Sequence, residues 1–342
     1  MAASDRAPRA LLLAAGVGTR LRPLTHVRAK AAVPVNGEPL VRRAIRWLAS
    51  HAIGDIVINL HHLPASVTAI VGEGRDLGVR VRYSWEHPVL GSAGGPRHAL
   101  PLLAEDGASS FLIVNADTLT DVDIPSLLAA HEASHALVTM ALVPNPRPEK
   151  YGGVTVSQGR VTGFTKPGTR GDSEGDFPLK AGATEAVGTY HFVGVQAVRP
   201  EAFAALADGV ALDSVGWLYP RLMADSPDAV RAFVCDAAFA DIGTPRDCLD
   251  TSLALAAREG SRLVSASASV AGSALVVRTA LWDDVVVGAG ASLRDCIVGD
   301  GARIPAGAAF ERCAIVAADG RRPAGDERIE GGLLLRAWQD RS

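Results

Sequence analysis

Residues 11–35 read LLLAAGVGTRLRPLTHVRAKAAVPV. An apolar run, Ala10 to Ala15, stops at Gly16; Gly18, Thr19 and Arg20 follow, and Lys30 comes ten residues after Arg20. Such a pattern is how a buried strand delivers a glycine-rich loop and two cations to a polyphosphate. Glycines let backbone N–H groups approach phosphate oxygens with no Cβ in the way. Arginine and lysine then neutralise the charge. The spacing is not GxxxxGKS/T, and GxGxxG is incomplete because Leu21 occupies the third glycine position.

Outward from this segment, short apolar runs alternate with amphipathic stretches. Residues 56–60, 79–83, 111–115 and 136–143 read as strands, and 39–50 and 124–134 have helical spacing of apolar residues. This alternation predicts an α/β fold, Rossmann-like, with a mostly parallel sheet and helices on both faces. Ligands of such sheets bind beyond the carboxyl ends of the strands, where Gly16 and the Asn115–Asp117 segment fall. Residues 167–187, rich in Gly, Asp, Glu, Ser and Thr, read as a mobile surface loop near the ligand site or simply a long connection.

From residue 264 the pattern changes. Val264, Val270, Val276, Trp282, Val287, Leu293, Val298, Ile304, Phe310 and Val316 recur at a period of about six, with phase slips near 283–287 and 294–298 read as turns or loops. One inward aliphatic per six residues, with small residues between, predicts a short left-handed parallel β-helix of about three coils over 264–318. An irregular valine-rich sandwich is the alternative. Residues 319–342 read as a polar tail with a short helix at 333–339.

At 342 residues the chain exceeds one ordinary domain, and 48% apolar content supports a sizeable core. A net charge of −3 with interspersed signs argues against a nucleic-acid partner or a polybasic membrane anchor. No apolar run approaches a membrane span. The N-terminus MAASDRAPRA leads into a first strand and not a signal peptide, which implies a cytoplasmic protein. Cys235, Cys248, Cys296 and Cys313 form no CxxC pair, so they read as free thiols and not as a zinc site. His61 and His62 have no partner at metal spacing and read as strand-end residues facing opposite sides.

The string Gly16, Gly18, Thr19, Arg20, Leu21, Pro23, Leu24, Thr25, Lys30, Pro34, Val35 resembles the GxGTRLxPLT…PK…PV signature of sugar-1-phosphate nucleotidyltransferases, the mannose-1-phosphate guanylyltransferases among them. The resemblance covers residues 8–258 as a catalytic domain. Ala29 stands where the family has proline. The resemblance implies that Leu13, Ala14, Ala15, Gly16, Gly18 and Thr19 meet the nucleotide, and that Arg20 and Lys30 are catalytic. Asn115-Ala116-Asp117 resembles the family's NGD segment, and Ala240–Pro245 its DIGTP segment. Their carboxylates, Asp117 and Asp241, are thereby implied to hold Mg²⁺. The bland alternatives are a turn or helix cap at Asp117 and an N-cap at Asp241.

Tyr151-Gly152-Gly153-Val154 and Phe164-Thr165-Lys166-Pro167 resemble the family's sugar segments. They imply that Gly152, Thr165 and Gly188 bind the sugar phosphate and that Lys166 grips it as a catalytic cation. Thr165 stands where glutamate is common, which puts the sugar identity in doubt. Glu86 to Gly95 (EHPVLGSAGG) resembles the base-binding segment and implies nucleotide contacts from Glu86, Gly91 and Ser92. Guanine presents two adjacent donors, N1–H and N2–H₂, which a carboxylate accepts; uracil has one donor between two acceptors and suits an amide. An exposed loop glutamate is the alternative.

The implied reaction joins an NTP and a sugar 1-phosphate into an NDP-sugar and pyrophosphate, with GTP and mannose 1-phosphate as the best match. UTP or dTTP with N-acetylglucosamine, N-acetylmuramic acid or glucose 1-phosphate stays open. So does a non-catalytic regulatory subunit, although such relatives typically lose the arginine, lysines or aspartates that this chain keeps. The open end of a β-helix implies a homo-oligomer.

Overall fold

The structure is a computed structural model that describes residues 8–167 and 188–339. Most of the expected connection at 167–187 and the first seven residues lie outside the described residues. The chain divides into two compact units, described separately below. The first draws on residues 1–15, 45–61 and 73–239, and the second on 16–44, 62–72 and 240–342.

Unit one is built on a nine-stranded sheet. Its strands are β1 (Arg9–Leu13), β2 (Asp55–Leu60), β3 (Arg80–Trp85), β4 (Phe111–Asn115), β5 (Val138–Pro144), β6 (Gly153–Ser157), β7 (Arg160–Thr165), β8 (Gly188–Val198) and β9 (Val230–Val234). Their order is β3-β2-β1-β4-β8-β5-β9-β7-β6, with β8 also paired to β6. β3, β2, β1 and β4 run parallel, as do β5 and β9. β8 is antiparallel to β4, β5 and β6, and β7 to β9 and β6. The sheet is therefore mixed, not mostly parallel as expected. One cause is local: Gln158 and Gly159, both at positive φ, close a two-residue hairpin between β6 and β7, and a hairpin forces antiparallel pairing.

Helices cover both faces. Leu11, Val57, Phe111, Ile113, Val138, Met140 and Leu142 share one core with Ala93, Ala99, Leu100 and Leu103 of the helix Gly91–Leu103. The helix Ile124–Ser134 buries His131, whose Nδ1 lies 2.8 Å from Thr139 Oγ1, and Thr139 alternates with Val138 to the opposite face. Among the described residues no helix is long and apolar enough to cross a membrane.

In unit two the loop after β1 folds as three short turns, Thr19–Leu21, Leu24–His26 and Lys30–Ala32. After the helix Pro245–Glu259, strands stack in three parallel ladders. Val270 pairs with Val287 and Val287 with Ile304; Val276 pairs with Leu293 and Leu293 with Phe310; Leu281 pairs with Val298 and Val298 with Ile315. Equivalent residues are 17 apart, as for the Arg278–Asp295 ion pair. The period is thus six, five, six and not a steady six. The shortened corner recurs in each rung, where Arg278, Asp295 and Arg312 all take positive φ. It shifts the inward row to Leu281 and Ile315, so Trp282 and Val316 are not the rung residues the six-residue count picks out. The expected helix at 333–339 is instead a strand, Leu333–Ala337, antiparallel to both Cys313–Ala317 and Glu327–Glu330. Its apolar run buries Leu333, Leu334 and Leu335 together, which one helical stripe cannot do.

Candidate active site

Unit one contributes a row of residues at one edge of its sheet. Leu13 lies opposite both Asn59 and Asn115, and Asn59 opposite Ser84, so four parallel strands end in line. Beyond those ends come Ala14, Glu86 and Asp117. The Leu13 carbonyl accepts from Ala116 N at 3.2 Å, and Ala14 N donates to Asn59 Oδ1 at 2.6 Å. Asp117 is half-buried and does not cap the next helix; Asp123 does, accepting from Ser126 N.

Glu86 is 5% exposed, so it is not a solvated loop residue. Its Oε1 accepts from Asn59 Nδ2 at 2.7 Å and its Oε2 from Leu90 N at 2.7 Å. A Cβ at Gly95 would lie 2.5 Å from Glu86 Oε1, so the last glycine of GSAGG makes room for this carboxylate. The first turn of the helix Gly91–Leu103 is closed by a segment the sequence did not mark. Leu212 O accepts from Ala93 N (2.9 Å) and Gly94 N (3.3 Å). Ser92 Oγ donates to Asp213 Oδ2 at 2.9 Å and accepts from Ser214 N at 2.8 Å. These donors are therefore already used and do not form an open anion site.

The strands β7 and β6 bring Thr165 and Gly153 together, with Gly152 just before β6; Gly188, the first residue of β8, pairs with Val156, three residues further along β6. Gly153 pairs with Thr165 and its N–H donates to Thr165 Oγ1 at 3.2 Å; a Cβ on Gly153 would meet that oxygen at 2.5 Å and Thr189 Cγ2 at 2.7 Å. Lys166 follows at the exposed end of β7. Beside this ribbon, His191 packs in a three-ring cluster with Tyr151 (4.4 Å) and Phe239 (4.7 Å), which also touch each other, and burial lowers its pKa to about 4.

Unit two carries the loop. Gly18 sits at φ 65°, where glycine is favoured, and its carbonyl accepts from Thr25 Oγ1 at 2.9 Å. Gly16, Thr19 and Arg20 are exposed, and Lys30 is half-buried. Asp241 ends a short strand, Phe239–Asp241, and is not the helix cap: Thr244 is, in a capping box with Asp247. A Cβ on Gly243 would lie 3.3 Å from Arg20 Nη1 and 3.3 Å from Asp241 Oδ2, so the loop cation and this carboxylate flank one glycine. Arg336, on the strand expected to be a helix, donates to the carbonyls of Arg20 (2.9 Å) and Arg22 (3.3 Å). Ala29 N donates to Ser66 Oγ at 2.9 Å, a bond that the family's proline cannot make. His62 holds the Thr25 carbonyl, and His61, in unit one, the Glu86 carbonyl.

No group of three or more His, Cys, Asp or Glu side chains suited to a metal occurs among the described residues. Asp117, in unit one, and Asp241, in unit two, each carry hard oxygen donors of the kind Mg²⁺ takes.

A sheet with its polar residues at the carboxyl ends of parallel strands, followed by a glycine loop bearing cations, defines a nucleotide-handling α/β enzyme. The sequence profile of the nucleotidyl transferase family matches residues 9–258, and the chain belongs to that family, as a sugar-1-phosphate nucleotidyltransferase. It is 28% identical over 319 residues to the mannose-1-phosphate guanylyltransferase of Mycobacterium tuberculosis, covering 89% of this chain and 83% of that one. It is 34% identical over 218 residues to the N-acetylmuramate alpha-1-phosphate uridylyltransferase of Neisseria meningitidis, covering 63% and 83%. The crystal structure of HddC from Yersinia pseudotuberculosis complexed with GMP-PN superposes with a TM-score of 0.58 at 18% identity, over 73% of this chain and all of that one. That likeness is one of fold.

Proposed function

We propose that this enzyme transfers a guanylyl group from GTP to a hexose 1-phosphate, mannose 1-phosphate being the best match, and releases pyrophosphate. The observation that carries this reading is the buried Glu86 carboxylate, held at the edge where the parallel strands end. The 28% identity to a mannose-1-phosphate guanylyltransferase, over most of both chains, supports it. A second reading, UTP with an N-acylated amino sugar 1-phosphate, draws on the 34% identity to an N-acetylmuramate 1-phosphate uridylyltransferase and on Thr165 in the glutamate position.

A phosphate oxygen of the sugar 1-phosphate attacks the α-phosphorus in line. That oxygen is already ionised, so no general base is required, and catalysis is positioning plus charge neutralisation. Arg20 and the N–H groups of Gly16 to Thr19 offset charge on the departing pyrophosphate. Lys30 acts near the α-phosphate, and Lys166 grips the sugar phosphate beside Gly152, Thr165 and Gly188. Leu13 to Ala15, Glu86, Gly91 and Ser92 frame the nucleotide. Asp117 and Asp241 are the residues that would hold Mg²⁺, which when bound would supply positive charge against that of the phosphates.

The constant offset of 17 residues in three parallel ladders supports reading 264–318 as a parallel β-helix appended to a catalytic domain at 8–258. Val264, Val270 and Leu275, exposed on its first rung, support assembly through that end into a homo-oligomer. Pyrophosphate release with Mg²⁺, across GTP, UTP, dTTP, ATP and CTP and a panel of sugar 1-phosphates, tests the reading. Release with GTP alone supports it. Release with UTP or dTTP alone overturns the base assignment, and silence from folded protein overturns catalysis.

A further inference from the structure

Asn59 carries no role in the reading above. It lies near the end of β2 among apolar residues, is 2% exposed, and is bonded at both ends of its amide. Ala14 N donates to its Oδ1 at 2.6 Å, and its Nδ2 donates to Glu86 Oε1 at 2.7 Å. Leu90 N donates to Glu86 Oε2 at 2.7 Å. Both outer members of this chain are backbone N–H groups, which can only donate. Ala14 therefore fixes which end of the Asn59 amide is oxygen, and the NH₂ end must face position 86. Leu90 approaches position 86 from its other side with a second donor. A side chain there must accept twice. A carboxylate does so, whereas a carboxamide would turn its NH₂ toward one of the two donors. Gly95 closes the arrangement, since a Cβ there would sit 2.5 Å from Glu86 Oε1 and 2.9 Å from Asn59 Nδ2.

We propose that Asn59 is a specificity-determining residue of the nucleotide pocket, acting through Glu86: its amide polarity obliges position 86 to be an acceptor-only side chain. A carboxylate has about four lone-pair sites. Asn59 and Leu90 take one on each oxygen, and one on each remains. Two acceptors side by side match a base edge with two adjacent donors, as guanine has. They mismatch an edge whose single donor lies between two acceptors. Asn59 positions the reading group and need not touch the base. The inference rests on Glu86 facing the base, as proposed above.

The test reverses the polarity of the chain. In the double variant Asn59→Asp, Glu86→Gln, the new carboxylate at position 59 accepts from Ala14 N and from the new amide at position 86. The oxygen of that amide accepts from Leu90 N. Every bond is restored, but the group offered to the base is now an amide. Each single variant sets like against like: two donors in Glu86→Gln, two carboxylates in Asn59→Asp. Urea unfolding should show both singles less stable than the double. Calorimetric titration with GTP and with UTP should show the GTP preference of the native protein reduced about tenfold or more in the double variant. A double variant no more stable than the sum of its singles overturns the polarity chain, whatever the protein catalyses. A stable double variant with an unchanged GTP-to-UTP ratio overturns the specificity role, as does tighter native binding of UTP. Because both readouts are stability and binding, failure of turnover would count against the proposed reaction and not against Asn59.

Discussion

Replacing Gly18 by alanine would place a methyl group 2.9 Å from Thr25 Cγ2 and 3.1 Å from Lys30 Cβ, on a residue whose φ is 65°. The left-handed conformation costs an alanine about 1–2 kcal/mol. The carbon contact with Thr25 is closer than side chains tolerate, so Thr25 must move. That weakens the 2.9 Å bond from its hydroxyl to the Gly18 carbonyl, worth about 1 kcal/mol. Together the loss is about 2–3 kcal/mol. It would appear in two assays, as a lower urea midpoint and as slower pyrophosphate release, because Lys30 is displaced with the loop. Misplacement by about 1 Å can cost about a hundredfold in rate.

Gly16 supplies the contrast. A Cβ there meets nothing within 4 Å, and Gly16 is not among the residues at positive φ. Gly16→Ala should leave stability unchanged or raise it by up to about 1 kcal/mol. If phosphate oxygens approach the backbone at Gly16, the same variant should raise the KM for NTP about tenfold or more, a loss of about 1.4 kcal/mol in binding. A Gly18→Ala protein with native stability and turnover would refute the packing argument. A Gly16→Ala protein with native KM would refute the claim that its open space belongs to the nucleotide.

Lys30→Ala should lower kcat by about 10²–10³, the scale of one preorganised charge, and near-normal turnover would remove Lys30 from the reaction. Ala29→Pro should cost only about 0.5–1.5 kcal/mol in urea unfolding, from the lost bond to Ser66, and should leave kcat intact, because Ala29 already has φ −56°. His131 is fully buried, and desolvation lowers its pKa to about 4 from 6.5. The unfolded chain therefore takes up the proton first, and stability falls as pH drops from about 6.5 toward 4, by up to about 3 kcal/mol. Unfolding of the native protein and of His131→Leu across that range should show the shallower slope in the variant.

The parts of the site legible in sequence were those whose chemistry is carried by residue type at short spacing. Glycines and cations in 16–30 announce a loop for anions, and the strand Phe111–Asn115 and the helix Ile124–Ser134 fall where periodicity places them. The helix Gly91–Leu103 did not announce itself: three glycines and two prolines argue against a helix, and the core contacts of Ala99, Leu100 and Leu103 override that preference. Asn59 was hidden for a different reason. Its partners, Ala14 and Glu86, are distant in sequence, and only the parallel register of β1, β2 and β3 brings them together. The clue was a single amide in the apolar strand IVINL, since a buried polar group requires partners. The 17-residue rung was disguised by the adjacent apolar pairs Leu281-Trp282 and Ile315-Val316, either of which fills a six-residue count.

Two departures from the family pattern have different consequences. At Ala29 the backbone N–H that a proline would lack is taken up by Ser66 Oγ, so the approach to Lys30 is fixed by a hydrogen bond instead of a ring. The substitution is absorbed within the loop. At Thr165 no such exchange occurs. The hydroxyl accepts from Gly153 N and sits where a Cβ on Gly153 would collide with it. It holds Gly153 at the start of β6, and a carboxylate that could accept two hydroxyls is missing. In the proposed reading, sugar recognition then falls more heavily on the backbone at Gly152 and Gly153, which Thr165 holds from β7. In the proposed reading the first departure is neutral for the reaction, and the second bears on which sugar 1-phosphate is accepted.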